Sequence, residues 1–138
     1  MTEFLKGIMT VTLCLAIVSG TPLAAKPPLR DVAEIDDALL DLGIADHIRK
    51  NCPQISARML KAITYVSNLE RRARDLGYSR DEIKAYTNSD VEKERLRARA
   101  AEVFAARGYQ GRDAASMCAL GREEIAKDSR IGTLLRAD

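Results

Sequence analysis

Ile55-Ser-Ala-Arg-Met-Leu-Lys-Ala-Ile-Thr-Tyr-Val-Ser-Asn-Leu-Glu-Arg-Arg-Ala-Arg-Asp-Leu-Gly-Tyr78 is the stretch that decides the fold class. Ile55, Met59, Ala62, Val66, Leu69, Ala73 and Leu76 recur at steps of three and four, which is one apolar stripe along a helix, and Leu60 and Ile63 widen it. Pro53 suits the first turn of that helix, where its missing N–H costs nothing. Gly77 stands where a left-handed residue ends a helix, and Tyr78 follows as the apolar side chain that folds back on it.

Upstream, Val32, Ile35, Leu39, Leu42, Ala45, Ile48 and Cys52 trace a second stripe. Asp31 with Glu34 has capping-box spacing and is expected to open this helix. Gly43 weakens its middle, and Cys52-Pro53 ends it. Downstream, Ser79 with Glu82 has capping-box spacing and opens a short helix carrying Ile83 and Tyr86. Ser89 with Glu92 restarts a longer one, whose buried face is expected to hold Leu96, Ala100, Val103 and Ala106, flanked by Ala101 and Phe104. Gly108-Tyr109 repeats the Gly-Tyr stop, and a further helix over about 112–127 puts Ala114, Cys118, Gly121 and Ile125 on one face. Ser129 to Arg136 can form a last turn. No segment alternates like a strand. The chain therefore reads as all-α, a compact bundle of about four main helices plus short ones, in a single domain over residues 26–138.

Charge suggests how the first two helices pair. Asp31, Glu34, Asp36, Asp37 and Asp41 gather near the start of one, and Arg71, Arg72 and Arg74 near the end of the other. An antiparallel hairpin brings these ends together, and each set also complements its own helix dipole. The whole chain carries a net charge of +2, too balanced for a dedicated nucleic-acid surface.

Residues 1–25 read as an export leader: Lys6 ahead of an apolar run over 7–18, then Pro22 and Leu-Ala-Ala at 23–25. The run is short for a membrane span, which needs about 20 residues. With the leader and its Cys14 removed, Cys52 and Cys118 remain, and a periplasmic or otherwise extracytoplasmic compartment favours their pairing as a buried disulfide. Two separate buried thiols are the alternative.

Motifs for chemistry are sparse. The one histidine, His47, has no CxxC or HxxxH companion, so it reads as a boundary side chain, and neither a metal nor another cofactor is expected. The run Lys93 to Arg99 mixes acids and bases like a solvated helix face. Met59 and Met117 fall where core residues belong. Arg71, Arg72 and Arg74 could dock an acidic partner or lipid headgroups, and Tyr78 and Tyr109, with Tyr65 and Tyr86, serve as either core or interface anchors. No nucleophile–base arrangement or phosphate loop is present, so no catalytic residue is assigned.

Cys52-Pro-Gln-Ile-Ser-Ala-Arg58, Leu76-Gly-Tyr-Ser79 with Glu82-Ile83, Cys118-Ala-Leu-Gly121 with Glu124-Ile125, and Ser129 through Arg136 together resemble a small exported alphaproteobacterial family of unknown function. The resemblance spans nearly all of residues 26–138. It implies no activity to carry over. Genes of that kind lie among those for subunits of respiratory complex I, which implies at most an accessory or assembly role. The expected function is thus a non-enzymatic module that binds a protein partner, with a periplasmic acid-stress holdase carrying one disulfide as the alternative. The first predicts an apolar patch or groove left uncovered by the helix stripes.

Overall fold

The structure, a computed structural model, describes residues 25–138. The expected leader and Cys14 lie outside the described residues, apart from Ala25. Six helices follow a 3₁₀ turn at Leu29–Asp31: α1 (Ala33–Asn51), α2 (Met59–Asp75), α3 (Arg80–Asn88), α4 (Asp90–Ala106), α5 (Ala114–Ala126) and α6 (Arg130–Thr133). The fold is all-α in its bulk and carries the Cys52–Cys118 disulfide.

Helix α1 is the axis. Arg72 pairs with Glu34 at 2.8 Å and the Tyr65 hydroxyl donates to the Ala38 carbonyl at 3.1 Å, so α2 runs antiparallel to α1, as the charge pattern predicted. Helix α4 runs parallel to α1, since Arg95 and Arg99 meet Asp36 near the start and Phe104 stacks near His47 towards the end. Helix α5 returns antiparallel, with Cys118 joined to Cys52 and Gly121 against Ile48. The main core lies between α1, α4, α5 and α6 and includes Ile44, Ile48, Phe104, Met117, Leu120 and Leu135. A smaller core gathers Leu29, Ile35, Ala73 and Tyr78 beside Leu39, Leu69 and Ile83.

Local signals account for most boundaries. Ser79 accepts from the Glu82 N–H and Glu82 reaches back to the Ser79 N–H, completing the box. Ser89 and Asp113 cap α4 and α5 in the same manner. Gly77 and Gly108 take φ of +90° and +77°, the left-handed stops expected before Tyr78 and Tyr109.

Three expectations are corrected. Asp31 does not cap α1: it sits in the 3₁₀ turn, Val32 is the N-cap, and no side chain caps that end. The helix predicted from Pro53 starts instead at Met59, because Ile55–Ala57 forms a short strand, β1, paired antiparallel with β2 (Leu135–Ala137). Ile55 is buried in that strand, so its place in the helical stripe was coincidental. Finally, the α2 stripe is not a core face throughout. Met59, Leu60, Ile63 and Val66 are 60, 82, 56 and 44 % exposed. Only Ala73 of α2 is fully buried, with Ala62, Tyr65 and Leu69 half-buried.

Candidate functional site

The groove between α1 and α4 is the candidate site. It is open along one side, encloses about 960 Å³, and has a mainly apolar lining. Leu39 and Leu42 come from α1, Leu96, Ala100, Ala101, Phe104 and Ala105 from α4. The parallel packing of α1 and α4 produces it. Small side chains on α4 and Gly43 on α1 leave the helices unfilled on their outer side, and a Cβ at Gly43 would meet nothing within 4 Å. The cavity is at the upper end of sizes that take small ligands, but it is a trough open to solvent along its side.

Two polar clusters frame it. At one end Asp36, 3 % exposed, receives hydrogen bonds from Arg95, Arg99 and the Tyr86 hydroxyl. Burial pushes its carboxyl up, yet the hydrogen bonds from Arg95 and Tyr86 and the charges of Arg95 and Arg99 outweigh that and hold it below the usual range. Buried Glu92 is held low by hydrogen bonds from Arg95 and Arg30. The same carboxylate neighbours raise the Tyr86 phenol, after burial as the larger cause. The Lys93–Arg99 run is therefore only partly a solvated face. Arg95 and Arg99 turn inward and clasp α4 to α1, which corrects the sequence reading.

At the other end the His47 ring N–H (Nε2) donates to the Gly111 carbonyl, and the ring lies 5.2 Å from that of Phe104. The Tyr109 hydroxyl donates to Glu123, which also holds Arg107 at 2.8 Å and Lys127. Those donors, Lys127 first, bring the Glu123 carboxyl down to about 2. His47 thus fixes the α4–α5 loop. Among the described residues no cluster of three His, Cys, Asp or Glu side chains could hold a metal ion.

The other candidates from the sequence are not drawn into one site. Tyr109 and Tyr86 line the groove. Tyr78 is buried, its hydroxyl donating to the Pro27 carbonyl and its ring 4.6 Å beneath the Lys26 ammonium. Arg71 bonds Asn68, Arg72 pairs with Glu34, and Arg74 pairs with Glu70 at 2.5 Å. These three arginines lie along the exposed end of α2, and the pairings account for two of their charges. An uncovered apolar patch or groove was expected, but not its place between α1 and α4. Gly43, read as a weak point in α1, was the one local sign of it.

The fold and groove define a small helical protein, stapled by one disulfide, with an open apolar trough along its axis helix. A family model, a family of unknown function (DUF5333), matches residues 27–136, and the chain belongs to that family. Comparison with curated proteins and with solved structures finds no match.

Proposed function

We propose that the protein is a non-enzymatic accessory module, exported to the periplasm, that binds a protein partner in the α1–α4 groove. The observation that carries this reading is the groove itself: an apolar trough of about 960 Å³ in which a Cβ added at Gly43 would meet nothing within 4 Å. Helix-in-groove recognition uses such surfaces, with the partner's apolar face supplying what the groove lacks. The disulfide suits an oxidising compartment, and the apolar run over residues 7–18 supplies the export signal.

Affinity capture from envelope fractions, run in parallel with wild type and Gly43→Phe, tests it. The substitution fills the groove from an exposed helix position and so leaves the core alone. A stoichiometric partner retained by wild type and lost by Gly43→Phe is the expected result. A partner held equally by both proteins would exclude the groove.

The α1–α4 clasp favours a second reading, the acid-stress holdase. Asp36, Asp37 and Glu92 hold α4 through Arg30, Arg95 and Arg99, and protonating them would loosen that wall. Dye binding and circular dichroism from pH 7 to 2 test this second reading. An unchanged compact state at the acid end leaves only the accessory role.

A further inference from the structure

We infer that the occupant of the groove is an acidic amphipathic helix of a partner protein, laid over α1 in line with α3 and held between α4 and the exposed row of α2. This rests on the groove being the docking site and specifies what docks there.

The slot is already filled at one end. Helix α3 lies between α2 and α4 over the first turns of α1: Tyr86 bonds Asp36, and Ile83 joins the small core of Leu69 and Ala73. Past Asn88 the chain turns into α4 and the slot continues empty. Ala73, Val66 and Met59 are seven residues apart and so point in nearly the same direction from α2. Ala73 is buried beside α3, whereas Val66, Met59 and the intervening Ile63 are open to solvent. One helical row therefore loses its cover where α3 ends. Leu39 belongs both to the small core shared with α2 and to the groove lining, which joins the two surfaces.

The dimensions are those of a helix. The α4 wall runs from Lys93 to Ala105, about 18 Å at 1.5 Å per residue, enough for a partner helix of roughly 12–14 residues. Gly43 in the floor lets a second backbone approach to the short end of the usual interaxial range, about 8 Å.

Charge selects the partner. Four cations reach the groove, namely Lys50, Lys93, Arg97 and Arg112, against two carboxylates. Both carboxylates are engaged: Asp46 by Arg49 and Lys50, and Glu92 by Arg30 and Arg95. Arg112 has no ion-pair partner among the described residues. Lys50, Lys93 and Arg97 pair only with exposed neighbours on their own helices, Asp46, Asp90 and Glu94, contacts of small worth that an incoming carboxylate can replace. A helix with acidic flanks therefore gains most at Arg112, and a basic one is repelled. The same argument disfavours a second copy of this chain. Its exposed apolar helix is α2, and there Lys61, Arg71, Arg72 and Arg74 outnumber Glu70 and Asp75.

The test uses the mature, disulfide-bonded protein and two fluorescein-labelled synthetic peptides of about 14 residues, matched to the slot. They share one leucine face and carry glutamates or lysines on its flanks. Fluorescence anisotropy should give the glutamate peptide at least about tenfold tighter binding at low salt, with the advantage shrinking in about 0.5 M NaCl. Gly43→Phe, the double charge reversal Arg97→Glu with Arg112→Glu, and Ile63→Asp should each weaken it about tenfold or more; all four positions border open space, so thermal melts should be unchanged. Equal binding of the lysine peptide, with Gly43→Phe blocking both, would overturn the acidic partner and leave the groove reading intact. Glutamate-peptide binding indifferent to Gly43→Phe would remove both. Binding of laurate but of neither peptide would overturn the helix in favour of a small amphiphile.

Discussion

Asp36 on α1 and Arg95 on α4 meet in a two-point pair, with Arg95 Nη1 donating to Oδ2 at 3.0 Å and Nη2 donating to Oδ1. A buried carboxylate is tolerable only because it is paired and hydrogen-bonded on every side. Arg95 has Glu92 as a second partner and Arg99 has Asp37, so the guanidinium groups would survive the loss of Asp36 better than the reverse. Asp36→Ala should therefore destabilise the fold at the lower end of the range for broken buried pairs, about 3 kcal/mol. Urea titration measures this. A loss below about 1 kcal/mol would mean the pair behaves like an exposed one.

Acid should undo the same clasp. Asp36 and Glu92 are held below their ordinary values of 3.8 and 4.5, and Glu82 and Glu123 are brought to about 2, the first by Lys26 and the second by Lys127. A carboxyl whose folded pKa is depressed contributes its full stability above the unfolded value and loses it as pH falls through the folded one. Asp41 acts in the opposite direction. Burial pushes its carboxyl up, with the neighbouring Asp37 and Glu124 carboxylates adding to it, and this outweighs the Arg130 guanidinium at 2.7 Å from Oδ2. Its protonation relieves the fold as pH drops towards 3.8. Thermal melts should then be level or slightly rising from pH 7 to about 5, and fall steeply from about 4 to 2. A melting temperature that holds through pH 2.5 would refute the assignment.

The Cys52–Cys118 bond ties the end of α1 to α5 across 66 residues of chain. Closing a loop of that size is worth about 4 kcal/mol in the chain-entropy model and about 2–4 in practice. Reduction, or Cys52→Ala with Cys118→Ala, should lower the melting temperature by about 10–20 °C for a domain of this length. Calorimetry with and without reductant reads it directly. No change on reduction would place the stability of the α1–α5 contact in Ile48, Met117 and Leu120 alone.

How far the sequence carried the fold depends on whether a signal was local. Ser79–Glu82, Gly77 and Gly108 act through residues within one turn, so their spacing sufficed to place helix ends. The disulfide was readable from the cysteine count together with the expected export. Strand β1 was not, because Ile55 pairs with Ala137 across most of the chain and its three residues offer too little alternation to notice. The place of the groove was hidden for a related reason. Periodicity marks the apolar residues of α2 and α4 without saying which of them find a neighbour. Val66 and Ala73 occupy the same row, and only the reach of α3 decides that one is covered. Arg95 and Arg99 looked like surface bases because their partner Asp36 lies about 60 residues away.

Glycines separate packing from freedom. A Cβ at Gly132 would run into the backbone carbonyl of Glu124, which cannot give way, and one at Gly121 would overlap Ile55 and Ile48 side chains that can adjust. Gly132→Ala should cost about 3 kcal/mol or more and Gly121→Ala about 1–3. Gly43→Ala meets nothing and removes glycine's entropic cost in a helix interior, so it should stabilise by about 0.5–1 kcal/mol. Chemical denaturation of the three variants tests the order. Loss of stability at Gly43 would mean that its surroundings are closed and that the groove lacks its floor.

The exposed apolar side chains of α2 make the sharpest contrast with the core. Leu60 and Ile63 carry as much apolar surface as Ile48, which is fully buried between α1 and α5. If Leu60 and Ile63 served the fold, polar replacement would cost what a core truncation costs. If they are kept for something that binds, it would cost the monomer almost nothing, since their side chains already face water. Ile48→Ala should lose about 2–5 kcal/mol through transfer and cavity. Leu60→Ser and Ile63→Ser should stay within about 0.5 kcal/mol of wild type and improve solubility. Urea midpoints together with sedimentation at high concentration make the comparison. A core-sized loss at Ile63 would show that α2 leans closer to α4 in solution, closing the slot that the partner helix requires.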